Sequence, residues 1–170
     1  TQKEVDSKLA GLTSSMEKLK FGYNVTSLFK DDDQNKVWEM RKAGLGLMMN
    51  IPGNAKPLPF VEDTAVSPER LPEYVQRFDE IVQRHGTTAG YYGHASVGCL
   101  HIRPVVNLKE DKGIKVMEGI SSEISDLVLE FGGAMSAEHG DGIVRGVWAE
   151  KMFGKNLVGA FREVKNVFDP

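Results

Sequence analysis

The sequence has a single cysteine, Cys99, and no long apolar run. One cysteine excludes an internal disulfide framework and is compatible with a reducing compartment. The longest apolar stretch, residues 45–51, is interrupted by Gly46 and Asn50, whereas a membrane span needs about 20 apolar residues. The chain also opens without a signal-peptide pattern. We therefore expect a cytoplasmic location, or a peripheral one at a membrane where a parent protein provides the contact.

An excess of basic residues is lacking too. The 21 basic residues are outnumbered by 24 acidic ones, for a net charge of −3, so nucleic acid is not an expected partner. The sequence also contains no Gly-x-Gly-x-x-Gly, no phosphate loop and no Gly-x-Ser-x-Gly. No nucleotide site or serine nucleophile is therefore indicated by a motif within this chain.

What is present is an ordinary globular composition, 41% hydrophobic and 26% charged over 170 residues. This length favours one domain with a substantial core. The chain starts without Met and ends on Phe168-Asp169-Pro170 directly after a helical pattern. We therefore expect residues 1–170 to be a single C-terminal or cap domain of a larger protein.

The spacing of apolar residues predicts alternating helices and strands. Helices are predicted at 4–20, 31–44, 67–86, 110–131, 147–152 and 154–167. Extended segments are predicted at 22–29, around 60–63, in a hairpin within 87–104, and at 134–144. Because the hairpin introduces antiparallel pairing, we expect an α+β fold, with a mainly antiparallel sheet and helices packed on one face.

Two short motifs contain three of the four histidines. The first, residues 93–101, carries His94 and His101 on opposite arms of the predicted hairpin, so they can become neighbours in space. Two neutral imidazoles and one carboxylate suit a divalent ion such as zinc or manganese, and Glu138 of the second motif could supply that carboxylate. His139 points to the opposite side from Glu138 if that segment is extended, which leaves it free to act as a base. Hydrogen-bonded structural histidines are the competing interpretation.

Three basic residues are candidates for binding a substrate carboxylate. Arg103 lies two positions beyond His101 on the same strand face. It either binds a carboxylate through two hydrogen bonds or is a solvated arginine at the strand edge. Arg41 on a helix and Lys56 in a loop are interpreted as solvated from position alone. Cys99 has no basic sequence neighbour to lower its pKa and is interpreted as a packed residue.

The two motifs, Gly-His-Ala-Ser-Val-Gly-Cys-Leu-His and Ser-Ala-Glu-His-Gly-Asp-Gly, resemble the C-terminal domain of FAD-linked oxidases. This is the D-lactate, glycolate and D-2-hydroxyglutarate dehydrogenase group of the vanillyl-alcohol-oxidase superfamily. Segments 37–44 and 59–71 resemble the same group, in the same order. The resemblance runs from about residue 20 to the end of the chain.

The resemblance implies a ferredoxin-like cap domain that supplies the substrate site, with FAD held mainly by a separate N-terminal domain. It implies that His94, His101 and Glu138 bind a divalent metal. His139 then matches the residue that takes the hydroxyl proton of a small 2-hydroxy acid during hydride transfer to FAD. Arg41 matches an arginine that binds the substrate carboxylate.

The hairpin departs from the common family form, because Ser96, Val97 and Cys99 replace a Gly, an Asp and an Asn. Arg103 and Val61 stand where 2-hydroxyglutarate enzymes carry an Asn and a Lys. The variant hairpin resembles the long subgroup that continues into an iron–sulfur domain, which makes that domain, or another electron acceptor, an expected partner. Lactate, glycolate and 2-hydroxyglutarate all remain candidate substrates.

Three hypotheses follow from the sequence. The chain is the cap domain of a flavin-dependent 2-hydroxy-acid dehydrogenase, inactive without its flavin domain. Alternatively, it is a metal-dependent hydrolase or lyase that uses the same histidines and glutamate without flavin. In the third hypothesis it is a non-catalytic binding domain whose histidines are structural.

Overall fold

Two helices form the regular structure of residues 1–45, the first of two units into which the chain divides. The structure is a computed structural model that describes residues 1–20 and 22–170. Helix α1 covers Gln2–Leu19 and helix α2 covers Asp31–Met49, whose last residues belong to the second unit. Three aspartates occupy the first turn of α2, where carboxylates stabilise the positive end of the helix dipole.

The strand predicted at 22–29 does not form. These residues have no helical or strand hydrogen-bonding pattern, although Tyr23, Val25 and Thr26 favour extended structure. Among the described residues of this unit, both regular elements are helices. An extended segment without a partner strand cannot satisfy its backbone hydrogen bonds.

A small antiparallel sheet organises the second unit, residues 46–170. Its strands are β1 (Lys56–Pro57), β2 (Thr64–Ala65), β3 (Ala89–His94) and β4 (Cys99–Val106). All three other strands pair antiparallel with β4. Because a strand has two edges and β3 occupies one along most of its length, β1 and β2 share the other edge at opposite ends of β4.

The prediction of a strand at 60–63 was wrong in position. These residues form the turn between β1 and β2, and all are buried. Phe60 and Val61 are therefore apolar because they pack in the core, not because they belong to a strand. Asp63 has a φ of 74°, a left-handed conformation that interrupts any extended pairing and that aspartate tolerates better than most residues.

Helices α3 (Leu71–Arg84) and α4 (Asp111–Glu130) cover one face of this sheet. Alternation along β4 directs Leu100, Ile102 and Val106 into the core. The core contains these three together with Phe60, Val61, Val66, Tyr74, Phe78, Ile81, Val82, Ile120, Ile124, Leu127, Val128, Phe131 and Met135. This arrangement confirms the predicted α+β fold, and it places His101 and the residues two positions away on the opposite face.

The hairpin formed by β3 and β4 depends on one glycine. Gly98 has a φ of 70°, and a Cβ at this position would lie 1.8 Å from the carbonyl oxygen of Val66. Only glycine fits this close approach. The resulting register pairs Tyr92 with His101 and His94 with Cys99, so that His94 and His101 lie diagonally on one face, as the hairpin prediction required.

The segment 134–144 is not the extended piece that was predicted. It forms one bridge, between Ala134 and Ala65, and then an irregular loop followed by the short helix α5 (Gly142–Arg145). The last helix, α6 (Ala149–Phe168), is interrupted at Gly154, close to the predicted break. No helix among residues 1–20 and 22–170 is long and apolar enough to cross a membrane.

The loop after Ala134 is held by the side chain of Asp63, which is completely buried. Its carboxylate accepts hydrogen bonds from the Ser136 hydroxyl at 2.7 Å and from the backbone amides of Ala137 at 3.0 Å, Glu138 at 3.1 Å and His139 at 2.8 Å. Burial alone would raise the pKa of Asp63, but the hydrogen bonds from Ser136, His139 and Glu138 outweigh it and lower the pKa.

We expect Asp63→Asn to destabilise the fold by about 3 kcal/mol. An asparagine amide removes the charge and turns N–H donors towards the backbone N–H groups that the carboxylate now satisfies. Denaturant unfolding followed by circular dichroism measures the loss. Asp126→Asn is the matched control, because Asp126 is exposed and forms an ion pair with Lys151 at the surface; this variant should change the free energy of unfolding by less than about 1 kcal/mol. Equal losses in the two variants would contradict the anchoring role.

The contribution of Asp63 should also depend on pH. Because the folded-state pKa lies below the ordinary value of 3.8, its contribution is complete above that value and is lost as pH falls through the folded pKa. The difference in unfolding free energy between wild type and Asp63→Asn should therefore be constant near neutral pH and shrink in strong acid. A difference that stays constant in acid would show that the ionised carboxylate is not what the loop requires.

Candidate active site

One carboxylate oxygen brings the predicted metal ligands together. Oε1 of Glu138 lies 3.1 Å from Nε2 of His101 and 3.6 Å from Nε2 of His94. The two imidazole rings meet edge to face with their centroids 5.3 Å apart. His94 and Glu138 are nearly half exposed, whereas His101 is 5% exposed. The three groups therefore converge at a place that a ligand can reach from one side.

His139 joins the same cluster. Its ring stacks on that of His101 with a centroid separation of 5.0 Å and an interplanar angle of 6°, and its Nε2 lies 3.3 Å from Oε1 of Glu138. The expectation that Glu138 and His139 point to opposite sides was wrong. Strand alternation does not apply here, because Asp63 binds the consecutive amides of residues 137–139 and curls the backbone around its carboxylate.

The spacing of these atoms fits a metal centre. Two atoms bound to one tetrahedral zinc at roughly 2.1 Å lie about 3.4 Å from each other, close to the separations of 3.1 and 3.6 Å observed at Glu138. Burial lowers the pKa of His101, although the Glu138 carboxylate acts in the opposite direction. A neutral imidazole is the form that binds a metal ion, so the environment of His101 favours a ligand.

A second group of candidate ligand atoms overlaps this one: Asp63, Cys99, His101 and Glu138 lie within 4.8 Å of one another. Its two additional members already have other partners. The Asp63 oxygens accept the hydrogen bonds of the loop, and the Cys99 thiol lies 3.6 Å from Oδ1 of Asp63 as a donor. Burial and the neighbouring carboxylates raise the pKa of Cys99 to about 11. The histidine pair with Glu138 is therefore the better metal set, and Cys99 is a packed thiol.

Arg103 lies on the same face of β4 as His101, as its spacing predicted, but it is not solvated. Its side chain is 12% exposed, and Nη2 lies 2.6 Å from Oε2 of Glu62, which is itself buried. The guanidinium also lies 5.8 Å from the centre of the Tyr92 ring. Among the described residues, Nε of Arg103 is buried and has no hydrogen-bond partner.

The other two predicted carboxylate-binding residues are Lys56 and Arg41. Nζ of Lys56 donates to the carbonyl oxygen of Ile51 at 2.5 Å. Lys56 pairs with Val106, five strand positions or about 17 Å of extended backbone from His101, so the structure does not bring it to the imidazoles. Arg41 belongs to residues 1–45, where it is exposed and stands over the ring of Trp38 at 5.9 Å. Their binding roles stay predictions.

Sequence reasoning missed three buried charged residues that shape the site: Glu62, Asp63 and Arg145. Arg145 donates to the carbonyl oxygens of Glu62 and Gly140, and its Nη1 lies 3.9 Å from Oδ2 of Asp63. One signal was available. An acidic pair directly after Phe60 and Val61 interrupts an apolar segment, and charges in such a segment are buried only when they are paired.

The arrangement offers a half-exposed imidazole, a carboxylate shared by three imidazoles and a cationic group on the same strand face as His101. These groups suit removal of the proton from a hydroxyl group on the carbon next to a carboxylate, with an ion to polarise the oxygen. The residues of this chain offer no group that accepts a hydride, so an oxidation would need an acceptor from outside the described residues.

The chain is similar to a family of flavin-linked proteins and to several named dehydrogenases. The whole chain, residues 1–170, matches the family described as FAD linked oxidases, C-terminal domain. It is 39% identical over 149 residues to the D-2-hydroxyglutarate dehydrogenase of Haemophilus influenzae, an alignment that covers 88% of this chain and 14% of that protein. It is also 38% identical over 135 residues to the enzyme of that name from Escherichia coli K12, covering 79% of this chain and 13% of that protein.

A third relative carries a different name. The D-lactate dehydrogenase of Archaeoglobus fulgidus is 31% identical over 138 residues, which cover 81% of this chain and 29% of that protein. The chain thus spans 14% of the length of the Haemophilus relative and a minority of each of the other two. Since the family match includes every residue, this chain belongs to the C-terminal domain family of the FAD-linked oxidases.

Proposed function

We propose that this chain is the substrate-binding cap domain of a larger flavin-dependent dehydrogenase, which oxidises a small D-2-hydroxy acid to the 2-oxo acid. The observation that carries the proposal is the convergence of three imidazoles on Oε1 of Glu138, at separations of 3.1 to 3.6 Å. A purely structural role would not need three histidines, two of them nearly half exposed, around one carboxylate.

The proposed metal ligands are His94, His101 and Glu138, with zinc or manganese as the ion. When bound, the ion would supply a Lewis acid for the substrate oxygens and FAD would supply the hydride acceptor. The hairpin provides two of the ligands and the loop held by Asp63 provides the third. The backbone that carries the three ligands is thus held by hydrogen bonds, which favours a preformed site.

His139 is the proposed base. Its imidazole is 45% exposed, so a substrate hydroxyl can approach it from solvent, and its ring is held by stacking on His101. Nε2 faces the cluster and Nδ1 faces Glu62, which leaves Nε2 as the nitrogen that takes the hydroxyl proton. Distance alone does not separate His139 from the metal ligands; the family resemblance assigns it the separate role.

The substrate carboxylate is proposed to bind Arg103, which lies two positions beyond His101 on the same face of β4. Arg41 and Lys56 remain further candidates. Relatives are named for D-2-hydroxyglutarate and D-lactate, and glycolate is the third candidate. The remaining proposed partners are an N-terminal flavin-binding domain of the parent chain and an iron–sulfur domain or other electron acceptor.

We expect His94→Ala and His101→Ala to lower the zinc or manganese affinity of the full-length protein about tenfold or more, because each removes one of three ligands. Elemental analysis after dialysis measures the bound metal. His85→Ala is the control, since His85 pairs with Glu123 outside the cluster and should leave metal content unchanged. Equal metal content in all three variants would refute the ligand assignment and leave the flavin chemistry to the next experiment.

We expect the full-length protein to contain FAD that a D-2-hydroxy acid bleaches under anaerobic conditions. His139→Ala should slow this reduction about 10²–10⁴-fold while flavin content stays normal, because the hydroxyl proton then has no positioned acceptor. His85→Ala again serves as the control. A full-length protein without flavin would end the dehydrogenase proposal, and unchanged reduction in His139→Ala would exclude that histidine as the base.

A further inference from the structure

Glu62 is a buried carboxylate that faces two groups of the site at once. Its side chain is 9% exposed. Oε1 lies 3.3 Å from Nδ1 of His139, and Oε2 lies 2.6 Å from Nη2 of Arg103. The side chain of Glu62 thus joins the proposed base to the proposed carboxylate-binding arginine. The proposed function gives Glu62 no role.

The backbone of Glu62 is fixed on both sides. Its carbonyl oxygen accepts a hydrogen bond from Arg145, and the next residue, Asp63, is tied to the loop that carries His139. The backbone of Glu62 is therefore tied to the loop that carries His139. A carboxylate held in this way can fix the direction of a histidine ring, because it accepts the proton of one ring nitrogen and leaves the other nitrogen free.

We propose that Glu62 is the positioning residue of this site. Through Oε1 it orients His139 with Nδ1 protonated and Nε2 directed at the substrate, and through Oε2 it holds Arg103 while partly neutralising its charge. The inference rests on the proposed function, since it assumes that His139 acts as the base. The separation of 3.3 Å needs only a small rotation of the ring to reach hydrogen-bond length.

This arrangement also affects substrate binding. Arg103 approaches Glu62 through Nη2, so a substrate carboxylate that binds Arg103 competes with Glu62 for one guanidinium. Loss of the Glu62 charge should then leave the binding of an acid unchanged or make it tighter. The positioning of His139 by Glu62 thus affects kcat, and the restraint of Arg103 by Glu62 affects KM. A fall in kcat without a rise in KM distinguishes these effects from a loss of folding.

Glu62→Gln in the full-length protein tests the proposal, with anaerobic flavin reduction by a D-2-hydroxy acid as the readout. The glutamine keeps the shape of the side chain but has only one acceptor. We expect kcat to fall about 10–100-fold and KM not to rise, with flavin and metal content unchanged. Glu123→Gln is a matched control, because Glu123 also bridges a histidine and an arginine, His85 and Arg84, outside the site; it should leave both constants unchanged.

The same substitution in a His139→Ala background shows whether Glu62 acts through His139. If it does, adding Glu62→Gln to His139→Ala lowers kcat no further. An equal loss in both backgrounds, or a wild-type kcat in Glu62→Gln, overturns the proposal. Should Glu62→Gln fail to fold, Glu62→Asp takes its place. It retains the charge but withdraws the carboxylate by one methylene, and the same fall in kcat without a rise in KM is expected.

If the wild-type protein does not reduce its flavin, the proposed function fails and kinetics no longer test Glu62. A crystal structure of full-length Glu62→Gln then decides. A His139 ring turned away from residue 62 supports the positioning role independently of any reaction, whereas an unchanged ring overturns it.

Discussion

The buried carboxylate of Asp63 is the interaction on which the site depends. It brings a negative charge into the protein interior, which is costly unless the charge is satisfied by hydrogen bonds. Here three backbone amides and the Ser136 hydroxyl supply them. The donors all belong to the loop of Glu138 and His139, so the bonds that satisfy Asp63 also fix this loop against the turn between β1 and β2. Without that turn, the proposed ligand Glu138 and the proposed base His139 would have no fixed position relative to the hairpin histidines.

The strand β4 builds the core and the site at the same time. Its even-numbered residues Leu100 and Ile102 pack under α3 and α4, and its odd-numbered residues His101 and Arg103 form the polar face. Because the core fixes the strand, the backbone of His101 is held rigidly. Its Nε2 lies 3.1 Å from Oε1 of Glu138, whereas its Nδ1 has no hydrogen-bond partner among the described residues. The burial that lowers the pKa of His101 follows from the loop that covers this second face.

The polar face is a connected set of charges, not a collection of separate pairs. Glu62 contacts both Arg103 and His139, and Arg145 connects the backbone of Glu62 to Gly140. A set of this kind is stabilising only while every member keeps its partners. In the proposed enzyme this set would position the substrate, while the flavin half of the reaction would come from another domain of the parent protein.

The sequence by itself determined the hairpin and the long helices, because short-range periodicity carries that information. It also determined the family resemblance and the likeness of residues 93–101 and 136–140 to a ligand set, because local motifs carry these. It misplaced the strands at 22–29, 60–63 and 134–144, where the outcome depends on whether a partner strand exists. Only the tertiary structure decided that Glu138 and His139 face the same way, since their direction is set by Asp63, more than 70 positions earlier in the chain. It also decided that Arg103 is paired with Glu62, because a contact between residues 41 positions apart leaves no trace in the local spacing of either.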